Sequence, residues 1–256
     1  MTMVAVRKAI GVLALLALGV FQKPDRAPTR AEWGALFWVT ITDVSLPLVL
    51  TTWGQLYIDS GVASILLSTV PIFTVIVAHF YLREERANLW QWAGILAGFA
   101  GVFVLLSRDL GIYPEGSLFG YLSHLIGSAS YAVASIITRR RLAQTPLFYQ
   151  SFVTVLLGDM MIWPLALAIE SPITLPVSAL GWTALFWQAL IASALATMAY
   201  YYLVHSIGPT RTSLVAYMFP LVAVTLGVIF LNEPLDAKLI GGAALVLGSV
   251  LVVNRT

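Results

Sequence analysis

Apolar residues along this chain neither alternate with polar ones nor gather into a narrow helical stripe; they fill whole windows. A helix crossing a hydrocarbon core about 30 Å thick needs about 20 predominantly apolar residues. Nine runs of that kind can be read, over 4–21, 34–54, 60–82, 89–107, 117–138, 146–169, 178–204, 211–231 and 238–253. Closed β-barrels also cross membranes, but their strands alternate apolar and polar residues, whereas 94–106 is apolar throughout. The pattern predicts an all-α membrane protein, a bundle of about nine transmembrane helices. Short connections carry turn or cap chemistry. Pro24 and Pro28 break the chain between the first two runs. Asn88 and Asp236 are placed to N-cap the helices that follow them, and 107–116 is the hinge between halves. No connection is long enough for a second, water-soluble domain.

Composition sharpens this picture. Hydrophobic residues make up 59% of the 256 and charged residues 10%, with a mean hydropathy of +0.90. A soluble domain carries roughly a quarter charged residues, so there is too little charge here to coat a water-facing surface, and lipid must be the main solvent. The net charge of +2 leaves no footprint for nucleic acid. With no cysteine, disulfides and thiolate chemistry are excluded. His79, His124 and His205 are scattered and never at i, i+4, so neither a zinc site nor another cofactor is expected. Arg7 and Lys8 ahead of Ala9–Phe21 resemble the start of a secretory signal. No small-residue cleavage site follows, however, and eight more spans do.

Lysine and arginine placement sets orientation. If the last helix ends inside, the inner connections hold Lys23, Arg26, Arg30, Arg83, Arg86, Arg139, Arg140, Arg141, Arg211 and Arg255. The outer ones hold only Arg7, Lys8, Arg108 and Lys238. A multi-pass protein of the plasma membrane is expected, with a cytoplasmic C-terminus and an external N-terminus.

The chain also repeats itself. Trp33-Gly-Ala-Leu-Phe-Trp38 returns as Trp182-Thr-Ala-Leu-Phe-Trp187, and the same offset of 149 residues pairs Ser64 with Ser213, Pro71 with Pro220 and Leu82 with Leu231. Five helices, an odd number, separate the paired segments, so the copies must cross the membrane in opposite senses. Inverted repeats of this kind build many secondary transporters, with the substrate near the midplane. The first copy, 1–107, holds four helices and the second, 117–256, holds five. A helix ahead of residue 4 is expected, lost by truncation or supplied by a partner.

Gly61-Val-Ala-Ser-Ile-Leu-Leu-Ser-Thr-Val-Pro71 with Leu82-Arg-Glu-Glu resembles one repeat of the drug/metabolite transporter superfamily, EamA type. Ile207-Gly-Pro-Thr-Arg-Thr-Ser-Leu-Val-Ala-Tyr-Met-Phe-Pro220 with Leu231-Asn-Glu and Gly241-Gly242 resembles it again. The resemblance implies two five-helix repeats around a central cavity lined mainly by the first, third and fourth helices of each. It also implies transport of a small metabolite, amino acid or drug-like solute by alternating access.

Several residues are candidates for that work. Asp43 and Asp159 lie mid-span, where an ionisable group costs on the order of 2.5–3.5 kcal/mol and normally faces a cavity or a partner. A carboxyl in low dielectric holds its proton more tightly, which suits Asp43 either to couple proton and solute movement or to sit neutral and hydrogen-bonded in a structural role; Asp159, on a peripheral helix, is assigned to structural pairing. Thr40, Asp43, Pro47, Thr51 and Gly54 share one face at helical spacing, as the wall of a water-filled path or as close helix packing. Pro71 and Pro220 mark paired kinks, with Ser68, Thr69, Tyr217 and Met218 facing the cavity or the bends merely fitting the bundle. Tyr200, with Tyr201 and Tyr202, could stack on a solute or form an interfacial belt with Trp33, Trp38, Trp182 and Trp187. Gln188 is a hydrogen-bonding candidate and His124 a proton-relay candidate. Glu84, Glu85 and Glu233 are assigned to capping or salt bridging where a helix exits.

Expected partners are a small-molecule substrate and the lipid bilayer, with proton coupling and a homodimer as further options. No nucleophile motif such as Gly-x-Ser-x-Gly and no phosphate-binding loop occurs, so no enzyme is expected. An intramembrane enzyme or a structural or sensory membrane protein is the alternative, and neither needs the inverted duplication.

Overall fold

The structure is a computed structural model describing residues 2–21, 26–109, 117–170, 175–231 and 236–253. The described residues form nine helical runs and no strand. These are α1 (Thr2–Phe21), α2 (Arg30–Gly54), α3 (Ser60–Tyr81), α4 (Leu89–Asp109), α5 (Ser117–Arg141), α6 (Leu147–Ile169), α7 (Ala179–Ile207), α8 (209–231) and α9 (Ala237–Val253). Each coincides with one of the nine apolar runs. Five of them, α1, α2, α3, α6 and α7, are long and apolar enough to cross a membrane by length and composition.

Local chemistry explains the boundaries. α2 starts four residues before its apolar run because Thr29 and Glu32 form a reciprocal capping box that satisfies the first turn. Asn88 does the same with Gln91 at the head of α4, and Asp236 accepts the Leu239 N–H at 2.7 Å before α9. Ser178 caps α7 through the Gly181 N–H. Between α7 and α8 the chain turns at Gly208, whose φ of 88° is open to glycine at no steric cost.

Hydroxyls inside these apolar helices are turned back onto their own backbone. Thr40, Thr51, Thr74 and Thr154 each donate to the carbonyl four residues earlier, at 2.6–2.8 Å. That arrangement hides a polar group in a span without a partner from elsewhere.

Contacts divide the chain into two compact units, 1–45 with 137–208 and 46–136 with 209–256. The boundaries fall inside α2 and α5, so each unit draws on both sequence repeats. In the first unit α1 packs on α6 and on the 189–195 stretch of α7. Its apolar core includes Leu36, Val39, Leu142, Val153 and Tyr201, with Val12, Leu15, Val155 and Ala194 beside α1. In the second unit α9 lies along α4 and α8 along the first half of α3. Ile65, Leu66, Leu105, Tyr121 and Val246 centre its core. Large apolar side chains such as Phe80, Trp90, Leu96 and Phe103 remain exposed, as lipid-facing surface would be.

One sequence assignment changes. Arg7 and Lys8, counted as an outer connection, lie inside α1 in its second turn. The hinge at 107–116 and Glu233 lie largely or wholly outside the described residues.

The α4–α9 contact rests on glycine. A Cβ added at Gly101 would sit 2.9 Å from the Val246 backbone nitrogen, whereas one at Gly241 meets nothing within 4 Å. Gly101→Ala should therefore destabilise the protein by roughly 1–3 kcal/mol through overpacking. Gly241→Ala should be neutral or gain up to about 1 kcal/mol from helix propensity. Thermal unfolding in detergent, followed by circular dichroism, checks the pair.

Candidate functional site

Both α2 and α7 carry a π-helical turn, at Thr40–Ser45 and at Ala189–Leu195. The two starts are separated by the same 149 residues as the sequence repeat. A π turn widens a helix and leaves backbone groups to be satisfied otherwise, and such turns cluster at functional sites. Asp43 sits inside the first.

Tyr201 and Thr154 gather at Asp43 within the first unit. The buried Tyr201 hydroxyl donates to Asp43 Oδ2 at 2.9 Å and lies 3.3 Å from Thr154 Oγ1. Lys8 lies on α1, which packs on α6, the helix of Asp159. Asp159 is 8% exposed, and its Oδ1 has no hydrogen-bond partner. Helix packing brings these groups together. A Cβ at Gly11 would lie 2.7 Å from Ser193 Cβ, and one at Gly158 would lie 2.4 Å from a Val44 methyl. Glycine at both points lets α1 approach the second π turn and α6 approach the first.

Of the predicted residues, Thr40 and Asp43 belong to this group, while Pro47 and Thr51 are packed against Gly127 of α5. The anticipated single stripe therefore splits, because the π turn changes the helical phase between Asp43 and Pro47. Tyr201, not Tyr200, is the buried ring that reaches Asp43; Tyr200 is tilted against it at 5.5 Å. Asp159, assigned to structural pairing, is buried in α6 with its Oδ1 unpaired. Gln188 and Met218 are exposed, as are Trp33, Trp38, Trp182 and Trp187.

In the second unit α3 breaks at Ser68–Thr69, directly before Pro71, and α8 passes through a 3-10 stretch, Ser213–Tyr217, before Pro220. Paired irregularities thus accompany the paired prolines. Ser68 and Thr69 are fully buried and give their hydroxyls to the Ser64 and Leu66 carbonyls, serving the break itself. The Tyr217 side chain lies outside what is described. His124 is fully buried; its Nδ1 pairs with the Gly120 carbonyl at 2.9 Å, leaving Nε2 without a partner. Glu85 accepts from the Thr210 N–H and hydroxyl at the head of α8, a helix-capping role.

Sequence reading missed three further groups. Lys8 was set in a connection, although a lysine at the fifth position of the 4–21 apolar run already calls for a counter-charge. Gln150 bridges His205 and the Leu142 carbonyl, and Arg139 donates to the His205 carbonyl. Glu32 gathers Arg26 at 2.6 Å and Thr145 at 2.7 Å, and its hydrogen bond holds the Arg26 guanidinium further above its usual pKa. No cluster suited to a metal occurs among the described residues.

Comparison with known proteins places this arrangement. The chain is 31% identical over 170 residues to the "Uncharacterized inner membrane transporter YedA" of Escherichia coli (strain K12), covering 66% of this chain and 54% of the relative. It is 22% identical over 200 residues to the "Uncharacterized transporter YoaV" of Bacillus subtilis (strain 168), covering 76% and 66%. The match to "Uncharacterized transporter YvbV" of the same organism is 24% over 254 residues, covering 97% and 80%. The chain thus spans about half to two thirds of the first two relatives. A solved crystal structure superposes on 99% of this chain and 88% of its own, with a TM-score of 0.72 at 19% identity, a likeness of fold. The model of the EamA-like transporter family matches residues 1–107 and 118–255. Matched along nearly all of an all-helical, multi-pass chain, this protein belongs to the EamA-like transporter family.

Proposed function

We propose that the chain carries a small metabolite, amino acid or drug-like solute across the plasma membrane by alternating access, with Asp43 coupling proton movement to solute movement. The observation that carries this reading is the placement of Asp43, a carboxylate inside a π turn of an apolar helix, bonded to the buried Tyr201 hydroxyl. A lipid-spanning segment bears the expense of such a group for function by default. Family membership supports the solute-carrying class, and the relatives are named as transporters. The recurrence of the π turn in the second copy supports rocking of two inverted repeats about a midplane site.

Coupling is tested in proteoliposomes with an imposed pH gradient and a panel of labelled amino acids and amines. Asp43→Asn should lower gradient-driven uptake at least about tenfold, the loss expected when a step worth about 1.4 kcal/mol or more is removed. Undiminished uptake by that variant would end the coupling reading. Tyr201→Phe should lower uptake and reduce stability by about 1–2 kcal/mol, the usual range for one buried hydrogen bond, in the same thermal melts.

Orientation is tested by labelling, which the absence of native cysteine makes clean. Arg141→Cys and Val177→Cys flank α6 on exposed positions and should react with an impermeant maleimide from opposite faces. The first, with the C-terminus, is expected to be cytoplasmic. Labelling of both from one face would overturn the inverted architecture.

A further inference from the structure

Two polar rungs, one helical turn apart, join α6 to α7 inside the first unit. In one, Tyr201 Oη lies 3.3 Å from Thr154 Oγ1 and donates to Asp43 Oδ2 at 2.9 Å. In the other, His205 Nε2 lies 2.8–3.0 Å from the Gln150 amide. Tyr201 to His205 and Thr154 to Gln150 are both one-turn steps, about 6 Å along each helix. Tyr201 and Thr154 are fully buried, whereas His205 is partly exposed and sits in the last turn of α7. Arg139 donates to the His205 carbonyl, so this second rung lies where α5 ends in Arg139, Arg140 and Arg141. Hydrogen counting fixes its chemistry. Gln150 Nε2 gives its two hydrogens to the Leu142 and Thr145 carbonyls, at 2.7 and 3.2 Å. Gln150 Oε1 is therefore turned to the imidazole, and the His205 Nε2–H donates to it. His205 Nδ1 is left as the basic nitrogen, buried and without a hydrogen-bond partner. Ser151 Oγ, on the residue after Gln150, is buried and unpartnered as well. Thr154 gives its own hydrogen to the Gln150 carbonyl at 2.6 Å, so toward Tyr201 it can only accept.

We propose that His205 is the proton relay that loads Asp43, taking a proton at Nδ1 from the Arg139 end and passing it along this α6–α7 seam through Tyr201. The proposal rests on the coupling reading of Asp43 and adds the route by which the proton arrives. A proton from water bonds to Nδ1, and the ring becomes imidazolium. Arg139, held on the His205 carbonyl, is a like charge for that ring and favours release of the proton. Nδ1 returns it to water in the seam, where Nδ1 and Ser151 Oγ are open hydrogen-bond sites. That water protonates Tyr201 Oη as the Tyr201 hydrogen crosses its bond to Asp43 Oδ2. One proton has then moved from solution to the carboxylate, and His205, water and Tyr201 are restored. Thr154 is a positioning residue, holding Oη beside Asp43 with no free hydrogen of its own to offer.

The test follows the protonation of Asp43 itself. The chain in lipid nanodiscs is taken by rapid mixing from alkaline to acidic pH, and the carboxyl C=O band is recorded by time-resolved infrared spectroscopy. The part of that band lost in Asp43→Asn belongs to Asp43. His205→Gln keeps a hydrogen-bonding amide but cannot carry the proton. In that variant the Asp43 band should rise at least about tenfold more slowly and still reach the wild-type amplitude. In His205→Ala, imidazole added to the buffer should restore the rate. A merely structural role for His205 would change amplitude together with rate and leave imidazole without effect, and that pattern would overturn the relay. An unslowed band in His205→Gln would overturn it too, and would leave coupling by Asp43 standing. Should His205→Gln fail to fold, His205→Asn is read by the same criterion. No Asp43-dependent band at all would overturn the coupling reading together with the relay. Slowed loading in His205→Gln, without gradient-driven uptake by wild type, would support the route and overturn the coupling reading.

Discussion

Every backbone N–H and C=O that enters a bilayer has to find its partner inside the protein, because the hydrocarbon offers none. The whole chain is organised by that demand. It accounts for the helical runs, for the side-chain caps at the heads of α2, α4, α7 and α9, for threonines bent back onto their own carbonyls, and for the absence of strand among the described residues. It also makes each departure from regular helix informative. Irregular backbone at membrane depth persists only where protein or a water-lined cavity satisfies it. Here the departures are few and come in pairs: π turns in α2 and α7, and breaks before Pro71 and Pro220.

Where the demand is simple, the sequence announces the structure. Helix positions follow from the length of apolar runs, and Asn88 and Asp236 cap because short polar side chains at those points fit the first-turn N–H groups. The phase of α2 is not legible in this way. A stripe read at 3.6 residues per turn assumes unbroken α-helix, and one extra residue in a π turn rotates everything after it by about 100°. Thr40 and Val44 therefore meet Gly158, whereas Pro47 and Thr51 meet Gly127. The choice of Tyr201 over Tyr200 is the same problem on α7, which has its own π turn upstream. Lys8 was misread for a different reason: a basic residue near the start of a chain looks like a flank, and only the helix from Thr2 shows it to be interior.

The duplication is visible in the backbone more than in the chemistry. Position 192, the counterpart of Asp43 at the repeat offset, is an alanine, and the π turn around it is apolar apart from Ser193. The irregular turn is thus repeated while the charge is not. A π turn without a carboxylate still offers a local widening that a neighbouring helix can enter, and Gly11 of α1 approaches Ser193 at that point. Geometry was duplicated; charge belongs to one copy.

That asymmetry fits the proposed mechanism. Two related helical units give a carrier two comparable arrangements, and under alternating access one fixed site serves both. A second carboxylate at position 192 would raise the charge the site has to offset, at the cost on the order of 2.5–3.5 kcal/mol that each ionisable group carries at membrane depth. Regular helices packed through glycine, such as α4 on α9, have close backbone contacts that resist change. The paired irregular segments lack that regularity, and under the proposed mechanism the one bearing Asp43 would convert a change in charge into a change in shape.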